Sequence, residues 1–348
     1  MKIALLTGCG EPAFSSNQGL IHAFRVLGHE VIVLGPRYWE RFLGDVELPD
    51  KKHPELYSYS EVLEKLPWNP NVIGCLEPHG FLTGPKPPEL KSFFFLTDPH
   101  AAGHTYHKIA EEGNFNVVFC GQPYFTPLFL DIPNTRAVTL PCGFDERRFP
   151  VEDVGSACDI SLVGFTGIAN MEYPYEDGRG KYATHPPQNL PQDYRRYASH
   201  PTPSYDYAER AEILIRLCND FDVRMYQTWK TPQFQCAIQS GEIGFNCSLL
   251  NDVGIRCFET LAAGRLLLTD EVPTLHETLG GHGYVTYRKR FRPFYQNFDL
   301  DYQEIYQSAR WWLGHDNARE EEAKLGKDRA WKHYSWTVRA KSLIEAMN

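Results

Sequence analysis

The sequence predicts a two-domain α/β protein built on parallel sheets. Three observations carry that expectation. The chain has 348 residues, more than one hydrophobic core ordinarily serves. Its first half alternates short apolar runs with stretches of helical apolar spacing, the pattern of strand–helix–strand units. A second series of apolar runs opens at Asp159-Ile160-Ser161-Leu162-Val163-Gly164, after a Pro- and Gly-punctuated break at Leu140-Pro141-Cys142-Gly143. With 42% hydrophobic and 14% aromatic residues the chain can fill two cores, which argues against a disordered polypeptide.

Each element has its own local reason. Ile3–Thr7 reads as the first strand and Gly8-Cys9-Gly10 as a glycine-bearing turn. Gln18 to Leu27 has helical spacing at Leu20, Ile21, Phe24 and Leu27, and Gly28-His29-Glu30 stops it. Val31-Ile32-Val33-Leu34-Gly35 is the next strand; Val72-Ile73-Gly74, Phe93–Thr97 and Val117–Cys120 follow. The opening strand–turn–helix resembles a nucleotide-binding unit and makes Gly10 a candidate ligand-side residue. It lacks Gly-x-Gly-x-x-Gly, so NAD binding has little support. Pro141 and Gly143 punctuate a strand end and Asp145 can cap the next turn; Leu140–Phe149 is a structural link with no chemistry assigned. Asp159–Gly164 opens the second sheet, which places Gly164 at a strand's carboxyl end. The following helix is delayed to about Asp206–Cys218 by an insert at 166–205. That insert holds six Tyr, six Pro, His185 and His200, a composition suited to packing over the surface or to stacking on a base or sugar.

Composition narrows the function classes. Residues 1–150 carry 13 basic and 17 acidic side chains, so that half is not a basic nucleic-acid platform, and the net charge of −9 leaves the other half acidic too. Nine cysteines with no Cys-x-x-Cys pair argue against a zinc ribbon, and an odd count argues against a full disulfide framework. A reducing cytoplasm is the expected setting. The apolar start Met1–Leu6 is too short for a signal peptide, and no run approaches the ~20 apolar residues of a membrane span. Arg288-Lys289-Arg290-Phe291-Arg292 reads as a solvated face, with a phosphate-bearing acceptor as the sharper option. Asp299-Leu300-Asp301 mimics a metal-binding Asp-x-Asp outside the strand-end context such sites need.

The most informative segment runs from Asn251 to Asp270. Asn251-Asp252-Val253-Gly254 is a turn, Ile255 starts a short helix, Gly264 ends it and Leu266–Asp270 is a buried strand. The turn leaves the helix's first N–H groups free to meet an anion, at the positive end of the helix dipole. Val253, Gly254 and Ile255 supply that backbone. Arg256 adds a forked cation. Glu259, three residues on and on the same face, can accept two hydroxyls of a ribose. The alternative is an ordinary surface ion pair between Arg256 and Glu259.

This segment, Arg256-Cys257-Phe258-Glu259-Thr260-Leu261-Ala262-Ala263-Gly264, resembles the donor-binding signature of GT-B glycosyltransferases, in particular the CgeB-like and family-4-like groups. Ile243–Leu249 upstream and Trp331-Lys332-His333-Tyr334-Ser335-Trp336 downstream are similar to the same groups, so the likeness covers most of the second half. It implies a GT-B fold, two Rossmann-like domains facing across a cleft. The implied domains are 1–150, on the acceptor side; 151–330, binding the nucleotide-sugar; and a 331–348 helix packing back on the first. It further implies a hexosyl- or pentosyltransferase that moves sugar from a UDP- or GDP-sugar to a hydroxyl, with no cofactor beyond the donor and no metal. The acceptor would be a small molecule, a glycan or a modified DNA base.

Asp98 is the candidate base. It follows the apolar strand Phe93–Thr97, at the carboxyl end where ligands of open α/β sheets bind, and Pro99 fixes the backbone beyond it. A capping role in the turn is the plain alternative. Thr97-Asp98 after the Phe-rich strand is similar to a Phe-Thr-Asp that follows a strand in the bacteriophage DNA β-glucosyltransferases, where the Asp is the proposed base. His100, Glu77 and His79 are alternatives at neighbouring strand ends. Retaining family-4 enzymes carry a Glu eight residues before the ribose-binding Glu; here that position is Asn251, which can hydrogen-bond a sugar but supplies no charge. Inversion through Asp98 is therefore the favoured course. Three other functions stay open: a glycosyltransferase acting on a hydroxymethylated DNA base, a nucleotide-sugar epimerase, or a non-catalytic nucleotide-sugar-binding protein.

Overall fold

The two series of apolar runs form two separate parallel sheets. The computed structural model describes residues 1–7, 16–34, 56–76, 81–149, 153–164, 205–226, 231–248, 252–288 and 302–348. The chain divides into two units, Met1–Asp145 with Tyr334–Asn348, and Glu146–His333.

The first unit contains β1 (Lys2–Leu6), α1 (Ser16–Val26), β2 (Glu30–Leu34), β3 (Leu56–Ser58), α2 (Tyr59–Lys65), β4 (Val72–Leu76), β5 (Phe81–Thr83), β6 (Lys91–Leu96), α3 (Pro99–Glu112), β7 (Val117–Cys120) and β8 (Arg136–Thr139). Six strands pair in the order β2-β1-β4-β6-β7-β8, and β3 pairs with β5 in a small second sheet. Every pairing in the large sheet is parallel; Ile3 lies opposite both Val31 and Val72. The order reverses at β1, between β2 and β4, which makes the β1/β4 boundary a topological switch point. Strands buried on both faces need no polar alternation. Phe93, Phe94 and Phe95 are accordingly all fully buried. Phe94 stacks on Phe115 (5.4 Å) and Phe93 meets Phe119 edge-on (5.9 Å). Each such side chain stabilises the fold by about 1.5–3 kcal/mol. Local chemistry fixes the start of α2: the Ser58 hydroxyl accepts from the Glu61 N–H, and the Glu61 carboxylate accepts from the Ser58 N–H.

The second unit contains β9 (Cys158–Val163), α4 (Tyr205–Asp220), β10 (Val223–Tyr226), α5 (Thr231–Gln239), β11 (Gly241–Phe245), α6 (Ile255–Ala262), β12 (Leu266–Asp270), α7 (Leu275–Leu279), β13 (Tyr284–Tyr287), α8 (Tyr302–Leu313) and α9 (Asp316–His333). Its five strands run in the order β10-β9-β11-β12-β13 and are all parallel. Here the switch point lies between β9 and β11. Ile160, Ile243, Phe245, Leu266 and Leu268 form the core with Ile213, Leu214 and Leu217 of α4. Gly264 has φ +75°, donates its N–H to Leu261 O (2.9 Å) and so ends α6 in the left-handed conformation that glycine tolerates.

The chain end returns to the first unit. Trp331, Lys332 and His333 finish α9, and a last helix, α10 (Trp336–Met347), begins behind Ser335, whose hydroxyl accepts from the Val338 N–H. Phe144 donates to Tyr334 O and Trp336 donates back to Phe144 O, both at 3.0 Å. Trp336 is fully buried against Phe95 and Gly19 of α1. The segments 165–204 and 289–301 lie outside the described residues, and with them fall almost all of the Tyr/Pro-rich insert, Lys289–Arg292 and Asp299–Asp301. Among the described residues no helix is long and apolar enough to cross a membrane.

Candidate active site

The site is built at the carboxyl ends of β9, β11 and β12. The peptide that leaves β11 is held by buried polar side chains. Asn246 donates through Nδ2 to Thr269 Oγ1 (3.0 Å), and its carbonyl accepts from the Tyr287 hydroxyl (3.0 Å). Arg210 of α4 donates to the Cys247 carbonyl. Ser248 gives its N–H to Asp270 Oδ1 (2.7 Å) and its hydroxyl to Asp270 Oδ2. Asp270, 1% exposed, thus pins the strand end that leads toward α6. A carboxylate that accepts two hydrogen bonds from one residue is a stiff anchor.

Gly254 is the N-cap residue of α6 and, being a glycine, contributes no capping side chain of its own. Val253 is buried, and Gly254, Ile255 and Arg256 are partly exposed. An acidic group already stands near: a Cβ at Gly254 would lie 3.4 Å from Asp252 Oδ2. Gly164, just past β9, has φ +140°, and a Cβ there would come within 3.9 Å of Arg256 Nη2. The fold therefore brings Gly164, Gly254, Ile255 and Arg256 together at the β9/β11 switch point, from two stretches ninety residues apart in sequence.

Glu259 departs from the picture of an exposed acceptor on a helix face. It is 1% exposed and enclosed by two arginines. Arg148 donates from Nη1 to Glu259 Oε1 at 2.9 Å. Arg256 Nη1 stands 2.6 Å from Glu259 Oε2, without hydrogen-bond alignment. Phe234 of α5 backs both cations: Arg148 Cζ lies 3.3 Å from its ring centre and Arg256 Cζ 5.0 Å. The Arg256–Glu259 contact is thus not the ordinary surface pair of the alternative reading. The Arg148 and Glu259 side chains are 5% and 2% exposed, whereas Arg256 keeps 19%. A carboxylate between two guanidiniums leaves one positive charge over, and the more exposed arginine is the one able to present it.

Sequence reasoning assigned no chemistry to Arg148, Phe234 or Asp270. The Arg147-Arg148 pair beside Phe149 was visible, but nothing in one dimension separates a solvated arginine from a buried one. Phe234 carries no motif at all.

In the first unit, Asp98 occupies the N-cap position of α3, past the carboxyl end of β6, and is exposed. Its side chain makes no capping hydrogen bond. His100 is in the first turn of α3; its side chain lies outside the described residues. Gly10, Glu77, His79 and Asn251 also lie outside them. Among the described residues no three His, Cys, Asp or Glu side chains cluster as a metal site.

Two parallel-sheet units, each with a switch point, define a protein of the open, doubly wound α/β class. Residues 212–345 match the family described as glycosyl transferase-like. A search of curated protein sequences found no match. Among solved structures, sucrose-phosphate synthase from Thermosynechococcus elongatus is similar over 99% of this chain and 98% of its own, at 13% identity and a TM-score of 0.56. AviGT4, a glycosyltransferase involved in avilamycin A biosynthesis, is similar over 100% and 97%, at 13% identity and a TM-score of 0.53. An alpha-glucosyltransferase in complex with UDP and a 13-mer DNA is similar over 100% and 99%, at 10% identity and a TM-score of 0.53. The fold is GT-B, with two Rossmann-like domains, and residues 212–345 carry a glycosyl transferase-like domain.

Proposed function

We propose that the protein transfers a sugar from a nucleoside-diphosphate sugar to a hydroxyl acceptor, without a divalent ion. The observation that carries this reading is the juxtaposition of Gly164, the glycine-led start of α6 and Arg256 at one switch point. The diphosphate takes the N–H groups of α6 and the Arg256 guanidinium, and the ribose takes Glu259. Asp98, on the first unit, accepts the acceptor's hydroxyl proton. As the acceptor oxygen bonds to the anomeric carbon, the bond from that carbon to the diphosphate oxygen breaks. The leaving diphosphate carries the electron pair to the fixed positive groups, which do the work a metal ion does elsewhere. The free thiols of the described cysteines fit a reducing cytoplasm.

The test is a panel of UDP-, GDP- and ADP-sugars, read by thermal shift and by release of free nucleoside diphosphate in EDTA. One donor that stabilises the protein and is turned over in EDTA is the expected result. Stabilisation with no turnover on any acceptor points instead to a binding protein, and turnover that stops in EDTA removes the metal-free step. A second reading, transfer to a hydroxymethylated DNA base, draws on the similarity to the DNA-bound alpha-glucosyltransferase. Radiolabelled donor with hydroxymethylated against unmodified duplex DNA decides it.

A further inference from the structure

The buried triad asks why a second arginine is spent on Glu259. Arg256 alone would neutralise that carboxylate, and a buried charge pair costs desolvation on both sides. Arg148 comes from a short 3-10 turn far from α6 in sequence, is nearly as buried as Glu259 and lies over the Phe234 ring. It is aimed into the protein, so it is not a phosphate ligand itself. Arg256 has the same partner, the looser aromatic contact and the greater exposure.

We propose that Arg148 is the positioning residue of the donor site: it holds the Glu259 carboxylate in place while Arg256 leaves that carboxylate for the diphosphate of the donor. The inference rests on the nucleoside-diphosphate reading above. Before the donor arrives, two cations share one carboxylate. When the diphosphate arrives, Arg256 exchanges one anion for another, and Arg148 keeps Glu259 compensated and oriented toward the ribose. Without Arg148, Arg256 would be the only charge balancing Glu259, and binding the diphosphate would strand a buried carboxylate. Phe234 keeps Arg148 in register by covering its guanidinium face.

The experiment measures the affinity of the whole chain for UDP, GDP and ADP by calorimetry and carries the tightest of the three into the variants. Arg148→Met should weaken binding tenfold or more in the wild-type background and less than threefold in the Glu259→Gln background. Arg148→Lys, which keeps the charge and loses the fork, should recover part of the loss. An equal fold-loss in both backgrounds, or no loss in either, overturns the proposal, because Arg148 would then act independently of Glu259 or not at all. If the Arg148→Met single variant does not fold, comparing Glu259→Gln with the Arg148→Met/Glu259→Gln double variant still decides. That double variant lacks both buried charges, and a further loss above threefold overturns the proposal. Failure of the wild-type chain to bind any of the three overturns the nucleoside-diphosphate reading and this inference with it. Binding that Arg256→Ala abolishes and Arg148→Met leaves unchanged overturns this inference alone.

Discussion

Arg148 and Glu259, 111 positions apart, meet at 2.9 Å in the interior of the second unit, with 5% and 2% of their side chains exposed. Glu259 is therefore a structural residue as well as a candidate ligand, and a truncation there does more than remove a ribose contact. Glu259→Ala should cost about 3–5 kcal/mol of stability, the usual penalty for stranding one partner of a buried pair. The Arg148→Met/Glu259→Met double variant should cost less than Glu259→Ala alone. Urea unfolding of the three proteins checks the order; a double variant less stable than Glu259→Ala would mean that the pair itself, not its isolation, stabilises the unit.

Arg256 lies at the rim of the same cluster. Arg256→Ala leaves Glu259 with Arg148, so the thermal midpoint should stay close to wild type. Donor affinity should fall ~10–100-fold, the loss expected for one or two charge-assisted hydrogen bonds to phosphate. Calorimetry with the preferred nucleoside diphosphate reads this directly, and unchanged affinity removes Arg256 from the donor site.

Asp98→Asn should keep donor affinity, because Asp98 belongs to the first unit and Arg256 to the second. Transfer should drop ~100-fold or more, the scale for loss of a positioned proton acceptor. A near-wild-type rate with a real acceptor would make His100 the next base to test.

Gly19 is the point where α1 receives α10. A Cβ at Gly19 would come 2.3 Å from Trp336 Cδ1, and the fully buried Trp336 ring has Phe95 on its edge. Gly19→Ala should destabilise the first unit by about 1–3 kcal/mol through overpacking. Trp336→Ala should cost about 3–5 kcal/mol through the cavity. Denaturant midpoints give both values, and a neutral Gly19→Ala would show that α10 shifts freely on α1.

The thiols offer a test of burial. Desolvation pushes Cys158 up to about 11, Cys218 to about 12 and Cys257 higher still. Cys236 is exposed. Among the described cysteines Cys236 alone should react quickly with a thiol reagent at neutral pH, where the thiolate is the reactive form. Cys236→Ser should lose one fast equivalent; an undiminished fast phase would show that one of the buried sites opens.

Much of this architecture was legible in one dimension. Phe93–Thr97 and Val117–Cys120 are apolar enough to be read as central strands wherever they occur, because a strand buried on two faces has no polar side to show. Asp159–Gly164, the helix near Asp206–Cys218 and the glycine stop at Gly264 were equally plain, each set by local pattern or by a conformation that glycine favours. The weaker elements were not legible. β3 and β5 are three residues each, too short to show a period, and β8 pairs as an edge strand with exposed Arg136 and Thr139.

By itself the sequence determined the two-sheet plan, the helix start at Gly254 and the pairing of Arg256 with Glu259 on one helix face, since these depend on neighbours within a turn or two. Tertiary structure alone decided that Glu259 is enclosed by Arg148, that Phe234 backs the arginines, that Asp270 anchors the strand end through Ser248, and that Gly164 approaches Arg256. The reason is physical. Burial and partner choice for a charged side chain depend on what surrounds it in space, and the surrounding residues here come from separate elements that only the sheet order brings side by side.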